Sequence, residues 1–327
     1  MSETRKSTKR KRKKKHPILR SFLVIFAIAI VFIGYKGVKA YVALQNTTKG
    51  QQIHSTIRKQ EAQVSQPFSI LFLGIENYST KGVGGRTDSM ILATVNPKNK
   101  TIEKLSIPRD TKVYIPYRNV DSKINGAYNG GLQSAVDTVE NFLHVPIDYY
   151  VTVDFNGFKN IVDAVGGIDV NVPFDFWEHT DAKPRGTVYF HKGVQHLNGT
   201  EALAYSRMRK RDPRGDFGRE DRQQQVMMAI IDKLKSPETL LNIDNYAQVF
   251  SQNVKTNMSI SQGLSVFNDM KGATSQNIET LKLEGNGSND GGVYYYIADP
   301  TSVSDISNKM RAHLNLDQSQ TNSVNAQ

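Results

Sequence analysis

The run Ile18–Val38 decides the layout of this chain before any other residue is considered. It is apolar apart from Arg20 and Lys36, and its centre, SFLVIFAIAIVFIGY, carries no charge. About 20 helical residues at 1.5 Å each cross a hydrocarbon layer of roughly 30 Å, and Arg20 and Lys36 can snorkel at the two ends. The alternative is a cleaved signal peptide, for which Gly37-Val38-Lys39-Ala40 is a weak small-x-small site. Read as a retained transmembrane helix, the run divides the chain into five parts. Residues 1–17 are a basic tail, 18–38 the span, 39–66 a polar, Gln-rich stalk, 67–314 the folded domain and 315–327 a disordered tail. The positive-inside rule keeps 1–17 in the cytoplasm and exports everything after Tyr41. The expected location is therefore the cell membrane, single-pass, with an extracellular domain.

Net charge has to be read against that division. The chain carries +11, but residues 1–16 hold about +8 of it and Arg20 one more, leaving only about +2 on the rest. A nucleic-acid footprint belongs on the folded part, so no nucleic-acid partner is expected. The chain has no cysteine, which excludes a thiol nucleophile and any cysteine metal site and fits an exported protein without disulfides.

The domain alternates strand and helix patterns. Phe68–Ile75 (FSILFLGI) suits a strand buried on both faces, Met90–Val95 a second, and Thr101–Ile107 a third paired back through the turn Asn96-Pro97-Lys98-Asn99. Leu132–Leu143 has the helix period, and Pro146 stops it. Tyr149–Val153 and Ile168–Val172 read as strands around a helix from Phe155 to Val165 closed by Gly166-Gly167. Phe174–Arg185 reads as irregular, with the single Trp177 either touching a sugar ring or covering a satellite core. Asn198 and Glu201 form a capping box for a short helix. Further helices are expected over Val226–Leu234, Leu240–Phe250, Leu264–Met270 and Val303–Leu314, and late strands over Thr280–Leu283 and Val293–Ile297. The fold class is α/β, a mixed central sheet flanked by helices as an α/β/α sandwich.

Chemistry concentrates where strands stop. Glu76 ends the first strand, Arg86 and Asp88 follow a Gly-rich loop, and Arg109 and Asp110 end the third strand. Ligands of α/β sheets sit at such ends. Two carboxylates beside a phosphate would also suit Mg²⁺, which takes one or two carboxylates and completes its shell with water and substrate oxygens. The loop Asp121–Tyr128 adds a Lys and an Asn that could reach a ligand, or simply turns into a helix. The stretch Tyr205–Gln225, YSRMRKRDPRGDFGREDRQQQ, is mostly Arg and is broken by Asp212-Pro213 and Gly215. If Tyr205–Arg209 is extended, Arg207 and Arg209 project to one side. If a helix starts near Gly218, Arg219, Arg222 and Gln223 share a face. Guanidinium is the donor suited to bidentate phosphate binding, although a surface helix with internal ion pairs would read the same way.

In order and separation, LFLGIE, GGRTDSM, LSIPRD, KINGAY, VDFNGF, VGGIDVNV and LNGTEALAYSRMRKRDPRGDFGREDRQQQ resemble the LytR-CpsA-Psr (LCP) family of Gram-positive cell-wall enzymes. The resemblance covers the anchor and about residues 68–235. It implies a glycopolymer-phosphate transferase that moves an anionic glycopolymer, teichoic acid or capsule, from a polyprenyl-pyrophosphate carrier to peptidoglycan at the outer membrane face. Arg86, Arg109, Arg207, Arg209, Arg219 and Gln223 would then hold the pyrophosphate. Glu76 and Asp88 would bind Mg²⁺, with Glu76 standing where the family usually has Asp. The resemblance also implies a lipid slot between the helices flanking the sheet. Asp88, Arg109 and Asp110 are the candidate catalytic residues, either carboxylate being a possible general base. A polyprenyl-pyrophosphate hydrolase and a non-catalytic binder of anionic lipid or polymer are the rival readings. Transcriptional regulation is set aside, because an exported domain never meets DNA.

Overall fold

A computed structural model of the chain describes residues 50–316 except 59, 77–84, 235–248, 250, 271–272 and 274. The expected transmembrane helix and the C-terminal tail from 317 lie outside the described residues, as does the helix expected over Leu240–Phe250 apart from Val249.

A six-stranded mixed sheet carries the fold, in the order β11-β6-β1-β2-β3-β12. Strands β1 (Phe68–Glu76), β2 (Arg86–Asn96) and β3 (Thr101–Ser106) form an antiparallel meander. Strand β6 (Tyr149–Asp154) runs parallel to β1, β12 (Ile278–Leu281) parallel to β3, and β11 (Val254–Thr256) antiparallel to β6. Successive side chains of β1 point to opposite faces, and both faces are covered, which is why its sequence is nearly all apolar. On one side Leu71, Leu73, Met90, Leu92 and Leu105 pack against helices α1 (Leu132–Leu143) and α6 (Pro300–His313). On the other, Phe68, Ile70, Ala93, Val95 and Ile102 pack against Val266 of helix α5 (Ile260–Asp269) and Met270 just beyond it.

A second apolar cluster lies beside the sheet. It joins helices α2 (Phe155–Ala164), α3 (Gly199–Arg207) and α4 (Asp216–Leu234) with the pair β7 (Ile168–Val172) and β10 (Gly193–Leu197). The segment Phe174–Arg185 is not irregular throughout. Phe176–His179 forms strand β8, paired antiparallel with β9 (Thr187–Phe190), because Phe176 and Phe190 alternate inward while Trp177 and Tyr189 stay exposed. Phe176 stacks on Phe190 and Tyr205 with ring centroids 4.7 and 5.8 Å apart, anchoring the end of α3 from which the arginine stretch departs. The capping box at Asn198 and Glu201 starts that helix as expected.

Residues 50–58, inside the stretch read as a stalk, are held against the domain. The fully buried Glu140 of α1 accepts from Ser55 Oγ (2.5 Å), Thr56 N (2.7 Å) and Ile147 N (2.7 Å), and Arg58 Nε lies 3.3 Å from Asp148. Charge-assisted hydrogen bonds of this kind are the strong ones, and with Gly50 N donating to Thr256 O at 3.1 Å residues 50–58 stay on the domain.

Glu103 on β3 faces Glu279 across the parallel pair with β12 and is buried. Burial is the largest influence on it, and Lys309 only partly opposes it, so its carboxyl is pushed up to about 7. The folded value lies above the usual 4.5, so the folded state binds the proton more tightly. Stability is therefore fullest below the unfolded value and falls as pH rises toward 7. Glu103→Gln should leave the melting temperature unchanged at pH 4 and raise it at pH 8, by at most ~3 kcal/mol in stability. Thermal unfolding at the two pH values checks this.

Candidate active site

The site forms where β1, β2 and β3 end. Opposite Gly74 the register of β2 shifts: Gly74 pairs with Ser89, but Ile75 pairs with Thr87, so Asp88 is the extra residue of a β-bulge. A bulge bends its strand and re-aims a side chain, and here it turns Asp88 toward the end of β3. Asp88 Oδ1 accepts from Arg109 Nη1 at 2.6 Å. The strand expected to start at Met90 in fact begins at Arg86, so Arg86 and Asp88 belong to β2, Asp88 in its bulge, rather than to the loop. Arg86 pairs in register with Glu76.

Asp110 gathers three cations. Its Oδ1 accepts from Lys123 Nζ at 2.8 Å, its Oδ2 from Arg209 Nη1 at 3.4 Å, and Arg109 Nε lies 3.8 Å from Oδ2. Burial pushes its carboxyl up, but the Lys123 hydrogen bond and the charges of Arg109, Lys123 and Arg209 outweigh that and hold it below the usual range. The stability this contributes is present above the unfolded value near 3.8 and is lost as pH falls through the lowered folded value. Lys123 reaches Asp110 because strand β5 (Val120–Lys123) hairpins onto β4 (Lys112–Ile115), and because Asn125 N donates to Arg109 O at 3.2 Å. The loop read as able to touch a ligand thus closes on the PRD motif through its own backbone.

The arginine stretch arrives from the second cluster. Tyr205–Arg209 is not extended throughout: α3 runs through Arg207, and the chain leaves the helix at Met208 before Arg209. Tertiary packing of Tyr205 against Phe176 and Phe190 keeps this end helical. Arg207 lies over the Phe155 ring with its guanidinium carbon 4.9 Å from the centroid, and its Nη1 is buried without a hydrogen-bond partner among the described residues. A buried guanidinium nitrogen left open is a place for an anion's oxygen. Arg219 is buried on α4. Gln223 Nε2 donates to Ser206 O at 3.4 Å, so Gln223 ties α4 to the end of α3.

Arg222 has a different role. It is buried and donates to Asp212 Oδ2 at 2.5 Å and to the Met208 carbonyl. Burial raises the Asp212 carboxyl, and Arg222 with the Arg214 backbone bond brings it below its usual range. This pair staples the loop that carries Arg209 and Arg211 onto α4. Arg222, expected on the same helix face as Arg219 and Gln223, is held inside by this pair.

Asp88, Arg109, Asp110 and Arg209 therefore form one contact network, which Lys123 completes. Glu76 and Arg86 stand two positions further along the strand pair, and Arg207, Arg219 and Gln223 hold the α3–α4 corner. Lys123 carries no signal of its role in the sequence beyond being a lysine in a polar loop. Among the described residues no group of three or more His, Asp or Glu converges as a metal site. Glu76 at the end of β1 and Asp88 in the bulge of β2 are oxygen donors of the kind Mg²⁺ takes, along with water and phosphate oxygens.

Comparison with known proteins follows the same lines. The family model described as LytR_cpsA_psr matches residues 31–312. The Bacillus subtilis strain 168 polyisoprenyl-teichoic acid–peptidoglycan teichoic acid transferase TagV is 46% identical over 311 residues, covering 91% of this chain and 79% of that protein. The transferase TagU of the same strain is 40% identical, covering 93% and 98%. The crystal structure of B. subtilis TagV superposes with a TM-score of 0.65 at 49% identity, covering 77% of this chain and 99% of that one. With its motifs, its sheet and its relatives in agreement, the chain belongs to the LytR-CpsA-Psr family.

Proposed function

We propose that the chain is a polyisoprenyl-teichoic acid–peptidoglycan teichoic acid transferase, working from the outer face of the membrane to which residues 18–38 anchor it. The observation that supports this best is that Arg109 and Arg209 meet at Asp110 at the sheet end, while Arg207 at the end of α3 keeps a buried Nη1 without a hydrogen-bond partner among the described residues. Guanidinium groups so placed suit a pyrophosphate. Arg86 and Arg219 extend the set, and Gln223 keeps the corner in register.

In the reaction a peptidoglycan sugar hydroxyl attacks the phosphorus nearer the teichoic acid. The new P–O bond forms as the bond to the bridging oxygen breaks. Polyisoprenyl phosphate leaves, and the hydroxyl proton ends on it by way of solvent. Arg109 and Arg207 neutralise charge that grows on the bridging and non-bridging oxygens, which is where preorganised donors contribute most. Asp110, pinned below the usual carboxylate range, is a poor proton acceptor. Its part is to hold Arg109, Lys123 and Arg209 in position, while Asp88 orients Arg109. Glu76 and Asp88 would hold Mg²⁺, which when bound supplies further charge neutralisation at the phosphates.

The test uses the full chain in detergent micelles with a polyprenyl-pyrophosphate oligosaccharide, Mg²⁺ and a peptidoglycan oligomer, followed by mass spectrometry. The expected product is a phosphodiester adduct of the oligomer that disappears when EDTA removes the metal. Hydrolysed donor with no adduct would replace the transferase by a hydrolase, and intact donor bound without turnover would replace it by a binding protein.

A further inference from the structure

The sheet end has a second flank, away from the arginines. Strand β13 (Gly285–Asp290) hairpins onto β14 (Val293–Ala298), and β14 lies beside β4 through a Thr111–Tyr296 bridge and a Tyr296 N to Asp110 O bond of 2.9 Å. Alternation sorts the side chains. Tyr296 and Ala298 pack on the core, and Val113 and Ile115 are buried, so Tyr295, Ile297, Lys112 and Tyr114 share the outward face.

That face runs unbroken into the reaction centre. Lys123 Nζ is 2.8 Å from Asp110 and 5.7 Å from the Tyr295 ring, and Lys112 Nζ is 5.2 Å from the same ring. Its lysines are matched from within, Lys112 by Asp290 at 2.9 Å and Lys123 by Asp110, and the exposed Asp121 opposite Tyr114 on β5 adds one more carboxylate. What remains is a flat, aromatic and aliphatic surface, with Ser288 facing Tyr295 and Asn286 facing Ile297 on β13. Ile297 and Tyr114 are each about two-fifths exposed (41% and 42%). An aromatic ring beside short polar groups, with no surplus of positive charge, suits an uncharged saccharide better than an anionic polymer. The exposed Trp177 is a poorer platform, since the Arg211 guanidinium already covers one face of its ring at 3.4 Å.

We propose that the outer face of the β13–β14 hairpin and β4 is the acceptor subsite, on which the glycan strand of peptidoglycan lies with one hydroxyl presented past Lys123 to the phosphate at Arg109. The proposal rests on the transferase reading above, to which it adds where the acceptor binds. It makes Tyr295 and Ile297 specificity residues for the acceptor, acting apart from the donor pyrophosphate.

The test varies peptidoglycan oligomer concentration at fixed donor, using the full chain in detergent micelles. Tyr295→Ala and Ile297→Ser should each raise the acceptor KM about tenfold, as loss of a ring or aliphatic contact does, with the donor KM unmoved. Tyr295→Phe should restore the wild-type value, and Val194→Ala, exposed elsewhere on the domain, should change neither constant. An unchanged acceptor KM in both variants, or a rise in donor KM instead, overturns the subsite. Saturation-transfer NMR with an N-acetylglucosamine tetramer separates this from failure of the transferase reading. Should the wild type make no adduct, that reading falls; tetramer contact that is lost in Tyr295→Ala still upholds the saccharide face, and absence of contact removes it.

Discussion

Arg109→Ala should lower kcat by on the order of 10²–10³-fold, the loss expected when one preorganised donor to developing negative charge is removed. Arg109 is the side chain through which the two carboxylates of the site are joined, at 2.6 Å to Asp88 and 3.8 Å to Asp110. Its removal takes away both a phosphate ligand and the element that fixes Asp88. The side chain is about 29% exposed, so the ion pairs it leaves behind are partly screened and the fold should lose no more than ~1 kcal/mol. Arg109→Lys should recover only part of the rate, because an ammonium keeps the charge but not the planar fork. Steady-state transfer rates together with a melting curve check the assignment. Wild-type kcat in Arg109→Ala would remove Arg109 from the reaction, and a collapsed melting temperature would make it structural.

Asp212→Asn should have the opposite profile. It leaves the Arg222 guanidinium, 2% exposed, without the carboxylate that neutralises it, and a broken buried pair costs about 3–5 kcal/mol. For a domain of this size that is a fall of roughly 10 °C in melting temperature. The double variant Asp212→Asn/Arg222→Met removes both charges and should recover most of the loss, the coupling being read from the double-mutant cycle. Below the melting transition the single variant should retain measurable transfer, since neither residue faces the phosphate site. Thermal unfolding with activity assayed at low temperature distinguishes this staple from a ligand-binding role.

The sheet was legible because burial on both faces leaves a strong local mark. FSILFLGI can hardly be anything but a central strand, and the helix period of Leu132–Leu143 and the capping box at Asn198 are equally local signals. Strand ends and arginines pointed to the site for the same reason: charge that survives beside an apolar run has to be matched by something. Phe174–Arg185 was misread because its alternation is short, and Phe176 and Phe190 find each other only once Tyr205 closes the cluster. The same contact makes Tyr205–Arg207 helical against the extended reading.

The sequence by itself determined strands β1, β2, β3 and β6 of the central sheet, the family and the residue types at the strand ends, because hydrophobic period and ordered motifs are properties of neighbours along the chain. Which arginine serves which end was decided only by the tertiary structure. Arg207, Arg209, Arg219 and Arg222 look alike in a row, yet Arg222 is buried on Asp212 while Arg209 reaches Asp110, a residue 99 positions away. The bulge that turns out Asp88, and the strand pairing that sets Tyr295 beside Lys123, likewise depend on register between distant segments. Pairing across such distances is set by what the whole core can bury, and no local stretch records it.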